Sequence, residues 1–336
     1  MAVLALPAFA QDATPEAMPV PPNAIASGLN NPRGINYDAD GNLWIAEAGS
    51  GGPTVMMEDP DVGQITVGFS SQVTMVAADG TQVVALPFLF SYGSTQESGG
   101  LATVAKQGDS LWLVTSGAGS TPSPFYMDNV FQVNAATGRI QQAIDMYTNE
   151  ITNNPDEADP PDTNVNNIAW DASGNLYIVD TGANTIFTWT ADGGLQPWHI
   201  WKDDPVPTAI DFAADGSAYV SFLGTGIAPG AGHIEHLSAD GSEVLETFGG
   251  LTAVTDVAVG QDGSVYAVQL WSYNDQGPDM MGGSVVMVNA DGATPVADGL
   301  FMPYSLAQAP DGSWAVSIGT LAGPGNGAVI RLGGDM

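Results

Sequence analysis

Apolar and polar residues alternate in short runs along most of the chain, and a turn containing glycine cuts each run. The first three copies of this pattern read INYDADGNLWIAE at 35–47, TVAKQGDSLWLVT at 103–115 and IAWDASGNLYIVD at 168–180. Three more follow: IDFAADGSAYVSF at 210–222, VAVGQDGSVYAVQ at 257–269 and LAQAPDGSWAVSI at 306–318. A period of two residues places the apolar side chains on one face of a strand, and the turn glycine supplies the positive φ that a tight hairpin needs. Each copy therefore predicts a β-hairpin whose second strand carries Trp or Tyr. A weaker second hairpin follows most copies, turning at Asp79-Gly80, Thr137-Gly138, Asp192-Gly193, Asp240-Gly241 and Asp291-Gly292.

Two hairpins make one four-stranded sheet, so six copies predict six sheets. From the third copy onward the turn glycines Gly174, Gly216, Gly263 and Gly312 recur at steps of 42, 47 and 49 residues, a spacing that suits propeller blades. The expected fold is all-β: a six-bladed β-propeller with four-stranded blades over 23–336. The sixth copy ends one strand short, at AVIRL, and an N-terminal strand over 23–29 would complete it and close the ring. A two-domain β-sandwich is the alternative. The longer early steps leave Gly-, Pro- and acid-rich insertions at 48–64, 91–100, 116–128 and 148–164, expected as loops.

Composition narrows the function. The chain has 336 residues, 44% hydrophobic, which is enough apolar surface to exclude a disordered acidic chain. Five Lys and Arg against 37 Asp and Glu give a net charge of −32, so no basic patch exists to displace counterions and nucleic acid is excluded as a partner. Divalent cations, basic proteins and neutral small molecules remain electrostatically acceptable. The absence of cysteine rules out disulfides, thiol nucleophiles and thiolate metal sites. Residues 1–10, MAVLALPAFA, read as the remnant of a secretory signal with an A-x-A end, and 11–22 as a Pro-rich linker. An extracellular or periplasmic monomer is expected, with no membrane span, because no run reaches 18 uninterrupted apolar residues.

Candidate chemistry follows from strand pairing. Counting from each hairpin turn sets Gly34 opposite Glu47, Asn167 opposite Asp180, Ala209 opposite Phe222, Asp256 opposite Gln269 and Ser305 opposite Ile318. Glu47, Asn167, Asp180 and Asp256 then bring oxygen ligands to one mouth, a donor set suited to Ca²⁺. Arg33, Asn166, Gln269 and Tyr304 are the candidate ligand-binding residues at the same end, Arg33 as a carboxylate partner or a neutraliser of Glu47. The competing role for Glu47 and Asp180 is to anchor the Gly-rich turns AGSGG and TGANT that follow them. The acidic segment NNPDEADPPD at 153–162 has the oxygen donors for exchangeable Ca²⁺ but misses the EF-hand pattern, and a solvated loop is expected. In HIEH, a strand would put His233 and Glu235 on one face and His236 on the other, at a solvated edge. Serine-elbow, zincin and P-loop motifs are missing.

Three blocks carry a resemblance. GLNNPRGINYDADGNLWIAEAGSGGP at 28–53 resembles the opening blade of the ScyD/ScyE family. NNPDEADPPDTNVNNIAWDASGNLYIVDTGANTI at 153–186 resembles its NPDG, DSNP and DAGAN blocks, and VPTAIDFAADGSAYVSFLGTG at 206–226 its VPT and YVGELTG blocks. Asp162-Thr163-Asn164-Val165 replaces DSNP, and Val179 and Thr181 replace the alanines flanking the aspartate. The resemblance implies an exported propeller related to the NHL-repeat class, acting as a binding or accessory protein for a small molecule or an extracellular protein. A metal-dependent lactonase of the gluconolactonase type is the alternative function. Asn167 suits it, but Gly34 stands where an acidic ligand is wanted and Asp256 lies a blade late.

Overall fold

The computed structural model describes residues 19–59, 63–94, 97–117 and 127–333; the signal remnant at 1–10 and most of the Pro-rich linker lie outside them. All six repeats form the expected hairpins, and the turn glycines Gly41, Gly108, Gly174, Gly216, Gly263 and Gly312 all take positive φ. An aspartate fixes five of the six turns. Asp38 Oδ1 accepts from the N–H of Asp40 at 3.0 Å and of Asn42 at 2.9 Å, while Oδ2 accepts from Trp44 Nε1 at 2.9 Å. Asp171 repeats this with Ser173 and Asn175. In the last three repeats Asp215, Asp262 and Asp311 precede the glycine and take the N–H of the serine two residues on, the Asx-turn solution.

The chain divides into two units, a central one over Asp145–Leu306 and a terminal one built from the flanking segments. The central unit holds three sheets of four antiparallel strands. The first contains Val165–Trp170, Leu176–Asp180, Thr185–Thr190 and Gly194–Ile200; the second contains Pro207–Phe212, Ala218–Phe222, Gly232–Leu237 and Val244–Leu251. The third joins Val254–Val259, Val265–Gln269, Gly283–Asn289 and Gly292–Leu300. Apolar faces of neighbouring sheets form its core. Tyr177, Ile186, Ile210, Val220 and Phe222 make one cluster, and Ala209, Ile234, Val257, Ala267 and Val286 another.

Ser272–Asn274 and Gly277–Asp279 add a two-stranded sheet to the central unit, and the terminal unit has three sheets among the described residues. One contains Leu101–Gln107, Ser110–Thr115, Asn129–Asn134 and Ile140–Asp145. In another, Leu306–Gln308, Trp314–Ile318 and Gly327–Arg331 are completed by Ala24–Leu29, the first strand of the described chain pairing with the last. The remaining sheet, Pro32–Tyr37, Leu43–Glu47, Gly63–Val76 and Gln82–Gly93, is larger than expected. Its third and fourth strands run on into the insertions, and Thr54–Asp59 pairs with the extension, so 48–64 and 91–100 are partly strand rather than loop. The insertion at 148–164 likewise begins inside a helix, Met146–Asn153, capped by Asp145, whose side chain accepts from the Thr148 N–H. Among the described residues no helix is long and apolar enough to cross a membrane.

One feature changes the expected register. A one-residue irregularity follows the start of five first strands, between Pro32 and Ile35, Leu101 and Thr103, Val165 and Asn167, Pro207 and Ala209, and Val254 and Asp256. The extra residue slips the strand against its partner. Asp180 therefore faces Val165 and not Asn167, Phe222 faces Pro207 and not Ala209, and Gln269 faces Val254 and not Asp256. Glu47 is opposite Pro32 and not Gly34.

Candidate functional site

In the three sheets of the central unit the bulge turns one polar side chain per first strand, Asn166, Thr208 and Thr255, toward a neighbouring segment. In the central unit Asn166 Nδ2 donates to the Thr208 carbonyl at 2.8 Å, and Thr208 Oγ1 donates to the Val254 carbonyl at 3.0 Å. Thr255 Oγ1 donates to the Tyr304 carbonyl at 2.7 Å. The Tyr304 hydroxyl donates to Asn166 Oδ1 at 2.6 Å, joining residues 138 apart. These bonds run from Asn166 through Thr208, Val254, Thr255 and Tyr304 back to Asn166. Two predicted ligand-binding residues, Asn166 and Tyr304, therefore meet. Beside Asn166, Asn167 is half-buried and its Oδ1 reaches no hydrogen-bond partner.

Gln269 serves the scaffold: its Oε1 accepts the Thr252 N–H at 2.7 Å and its Nε2 donates to Ser284 Oγ at 2.9 Å. Arg33 lies in the terminal unit, where its guanidinium donates to the Ser98 carbonyl and its own carbonyl accepts from Ser317 Oγ at 2.8 Å. Next to it, Gly34 packs against the adjacent strand so closely that a Cβ would lie 2.6 Å from Thr103 Oγ1 and 2.7 Å from the Ala102 carbonyl oxygen. Only glycine fits there.

The predicted acids are anchors. Glu47, fully buried, accepts from the Asn30 N–H at 2.6 Å, from Gln72 Nε2 at 2.8 Å and from the Thr74 hydroxyl. Asp180, its counterpart in the central unit, accepts from the Asn164 N–H at 2.9 Å, the Ala183 N–H at 3.2 Å and Thr163 Oγ1 at 2.7 Å. Each ties the loop before its sheet to the end of the second strand. Burial lifts the Asp180 carboxyl to about 6 against these bonds. Asp256 accepts from the N–H of Leu306 at 2.8 Å and of Val257 at 3.0 Å, and burial raises it to about 7. Among the described residues no three His, Asp or Glu side chains converge closely enough to grasp one metal ion.

A second acidic group is more buried than expected. The segment 153–162 is not simply solvated, because Asp156 and Asp162 are buried, and they share the region with Glu150 on the helix and with Asp180. Glu150 is 0% exposed, with no close side-chain donor and the Asp162 backbone N–H as its hydrogen-bonding neighbour; Asp162 Oδ1 has no partner. Burial, then the charges of Asp180, Asp156 and Asp162, push Glu150 up to about 8. Burial and Asp180 push Asp162 to about 6. Asp156 is bonded, accepting from the Ala158 N–H at 3.0 Å and from Asn184 Nδ2 at 3.1 Å. The sequence signal was the density of acids flanking the helix, but nothing in their spacing distinguishes a buried acid from a solvated one.

The histidines sit as the strand period requires. His233 Nε2 lies 3.8 Å from Glu235 Oε1, and His236 stacks on Tyr219 with ring centroids 4.3 Å apart. Their strand is flanked on both sides and half-buried, not a solvated edge. Burial raises the Glu235 carboxyl, but bonds from His233 and Trp201 outweigh it and hold the group below the ordinary range.

No protein-family model and no curated protein sequence matches the chain. Solved structures do. The chain is similar to regucalcin, a calcium-binding protein from Agrobacterium tumefaciens, with a TM-score of 0.55 at 16% identity over 92% of each chain. It is also similar to hydrazine synthase from Kuenenia stuttgartiensis, with a TM-score of 0.53 at 14% identity, covering 92% of this chain and 76% of that one. At such identities the likeness concerns the fold alone, and that fold is a β-propeller.

Proposed function

We propose that the chain is an exported, monomeric, six-bladed propeller of the ScyD/ScyE type, closed by its N-terminal strand, that binds a small polar molecule or an extracellular protein at Asn166, Asn167 and Tyr304. The observation that carries this reading is the meeting of Tyr304 with Asn166 beside the unpartnered amide oxygen of Asn167. A buried amide oxygen without a donor is unfavourable by about 1–3 kcal/mol, which a ligand N–H or O–H would recover. The lactonase alternative draws less support, because the position where it wants an acid is Gly34, which the packing reserves for glycine.

The test is a thermal-shift and calorimetric screen of the full chain against sugars, hydroxy acids, amino acids and lactones. Saturable binding of one class is expected, weakened about tenfold or more by Asn167→Ala. Binding unaffected by both Asn167→Ala and Tyr304→Phe would remove the site. Lactone turnover that EDTA abolishes would restore the hydrolase alternative.

A further inference from the structure

We propose that the edge strand Thr54–Asp59 of the terminal unit is a docking site for an extended, cationic segment of another protein, which joins the sheet as a further strand. This edge lies in a different unit from Asn166 and Tyr304, and the proposal does not rest on the binding role assigned there.

An insertion builds this edge. Gly63–Val76 pairs with Leu43–Glu47 only as far as Gln72, opposite Glu47; its first residues run on past that hairpin and pair with Thr54–Asp59 instead. On the other side Thr66–Gly68 pair with Ser91–Gly93, and Ile65, Ser91 and Tyr92 are buried, so the extension has a packed base. Two glycines bring the chain into the edge strand. A Cβ on Gly51 would lie 2.6 Å from the Thr66 carbonyl oxygen, and one on Gly52 2.7 Å from Gly68 Cα. Among the described residues this is the one sheet with a strand off its main path, and Thr54–Asp59 is paired along one side alone. The N–H and C=O groups of its other side are a ready partner for an added strand. Natural edges are often blunted by Lys or Pro, and Thr54–Asp59 contains neither.

The side chains say what fits. Pairing slips by one residue between Val55 and Met57, and every residue from Thr54 to Glu58 is exposed, Val55 at 48% and Met56 and Met57 at 37% each. Two residues beyond Val67, the partner of Thr54, Phe69 is 62% exposed and meets Phe90 edge-on. More than half of the large apolar side chains exposed among the described residues lie on this one sheet. Charge then selects the occupant. Between 34 and 105 the chain has eight Asp and Glu and neither Lys nor Arg, and exposed Glu58 stands on the edge strand itself. A second copy would set the same acids against each other, with −32 on each chain behind them, and like charges across a strand pair are destabilising. A segment alternating apolar with Lys or Arg side chains meets both features: its apolar groups cover Val55 and Met57, and its cations offset the acids.

The test is fluorescence anisotropy of the full chain with a labelled Lys-Val-Lys-Thr-Lys-Val-Lys peptide, with hydrogen exchange in parallel. A control peptide with Pro for Val and Thr keeps the charge but cannot pair as a strand. The expected result is saturable binding with a Kd of about 100 µM or tighter in about 0.05 M NaCl, weakened severalfold in about 0.3 M and at least tenfold for the control. The amides of 54–59 should exchange more slowly when the peptide is bound. Met57 and Glu58 pair in succession with Ile65 and Gln64, so one of the two turns its N–H outward. Of Met57→Pro and Glu58→Pro, one should therefore lose at least tenfold in affinity while melting as the wild type does. Glu246→Gln, an exposed acid on another strand, should leave binding unchanged. Absence of saturable binding overturns the proposal, as does equal binding of the control peptide or binding that survives both proline variants. Association of the chain with itself that a proline variant abolishes overturns the choice of partner. Should both variants fail to fold by circular dichroism, hydrogen exchange of the wild type decides: peptide binding without protection of 54–59 rejects the edge.

Discussion

Asp211 shows how one carboxylate can serve packing at the expense of its own ionisation. Its Oδ2 accepts the Val259 N–H of the next sheet at 2.8 Å and its Oδ1 the Phe212 N–H at 2.8 Å, yet desolvation outweighs both bonds and raises the group to about 6. A folded pKa above the unfolded value near 4 means that the native state holds the proton longer, so this group's contribution is full below pH 4 and is lost as pH rises through 6. Asp211→Asn forfeits one backbone bond at every pH but has no charge to bury. The stability gap between wild type and variant should therefore narrow by on the order of 2 kcal/mol between pH 4.5 and 7.5. Urea unfolding at the two pH values measures it; a gap that stays constant or widens refutes the assignment. Thr208 is the complementary case, a neutral group with a carbonyl of the next sheet and both Ser221 oxygens as partners. Thr208→Val keeps the shape and removes the hydroxyl, and should lower stability by about 1–3 kcal/mol in the same assay, with Thr208→Ser recovering most of the loss.

At the scale of elements, the repeated hairpins were legible because each is local: alternation, a positive-φ glycine and an Asx anchor are all written within thirteen residues. The bulge was not legible. A one-residue insertion leaves the alternation of the rest of the strand intact, and only the pairing partner reveals it. That slip moved Asn167 off Asp180 and Asp256 off Gln269, while Asn166 and Tyr304 meet. The helix Met146–Asn153 was missed because its eight residues, MYTNEITN, show little apolar periodicity and bury only Met146 and Glu150. Burial of the acids around it depends on contacts across 17 and 28 residues of chain, which no local pattern encodes. Sheet-to-sheet packing gives the element-scale prediction. Gly34→Ala drives a methyl against Thr103 Oγ1 and into the Ala102 carbonyl and Thr103 Cα; rotating the hydroxyl leaves the two main-chain contacts in place, so the change should destabilise by about 2 kcal/mol or more. Ala102→Gly does not relieve the clash because the Ala102 carbonyl and Thr103 Cα belong to the main chain; a double variant with wild-type stability would contradict this packing.

For the molecule as a whole, two long-range facts dominate: a net charge of −32 and the pairing of the first described strand with the last. The charge opposes compaction, so raising NaCl from about 0.02 to 0.5 M, which shortens the screening length severalfold, should raise the unfolding midpoint before any specific ion is considered. The strand pairing acts through topology. Ala24–Leu29 lies antiparallel to Gly327–Arg331, and its Ala26 and Leu29 belong to a buried cluster with Ile35, Leu43, Ala315 and Val329. Removing residues 1–29 strips that apolar contact and uncovers the edge of Gly327–Arg331, whose N–H and C=O groups then face water or another chain. Hydrophobic loss alone from Leu29 is on the order of 2–3 kcal/mol, and the ladder bonds and the freedom gained by the chain end add to it. The truncated protein should melt at least 10 °C lower and associate during size-exclusion chromatography, and a peptide spanning 19–31 added in trans should restore both properties by refilling the edge. Wild-type melting of the truncated chain would show that the other three strands of that sheet hold without their N-terminal partner.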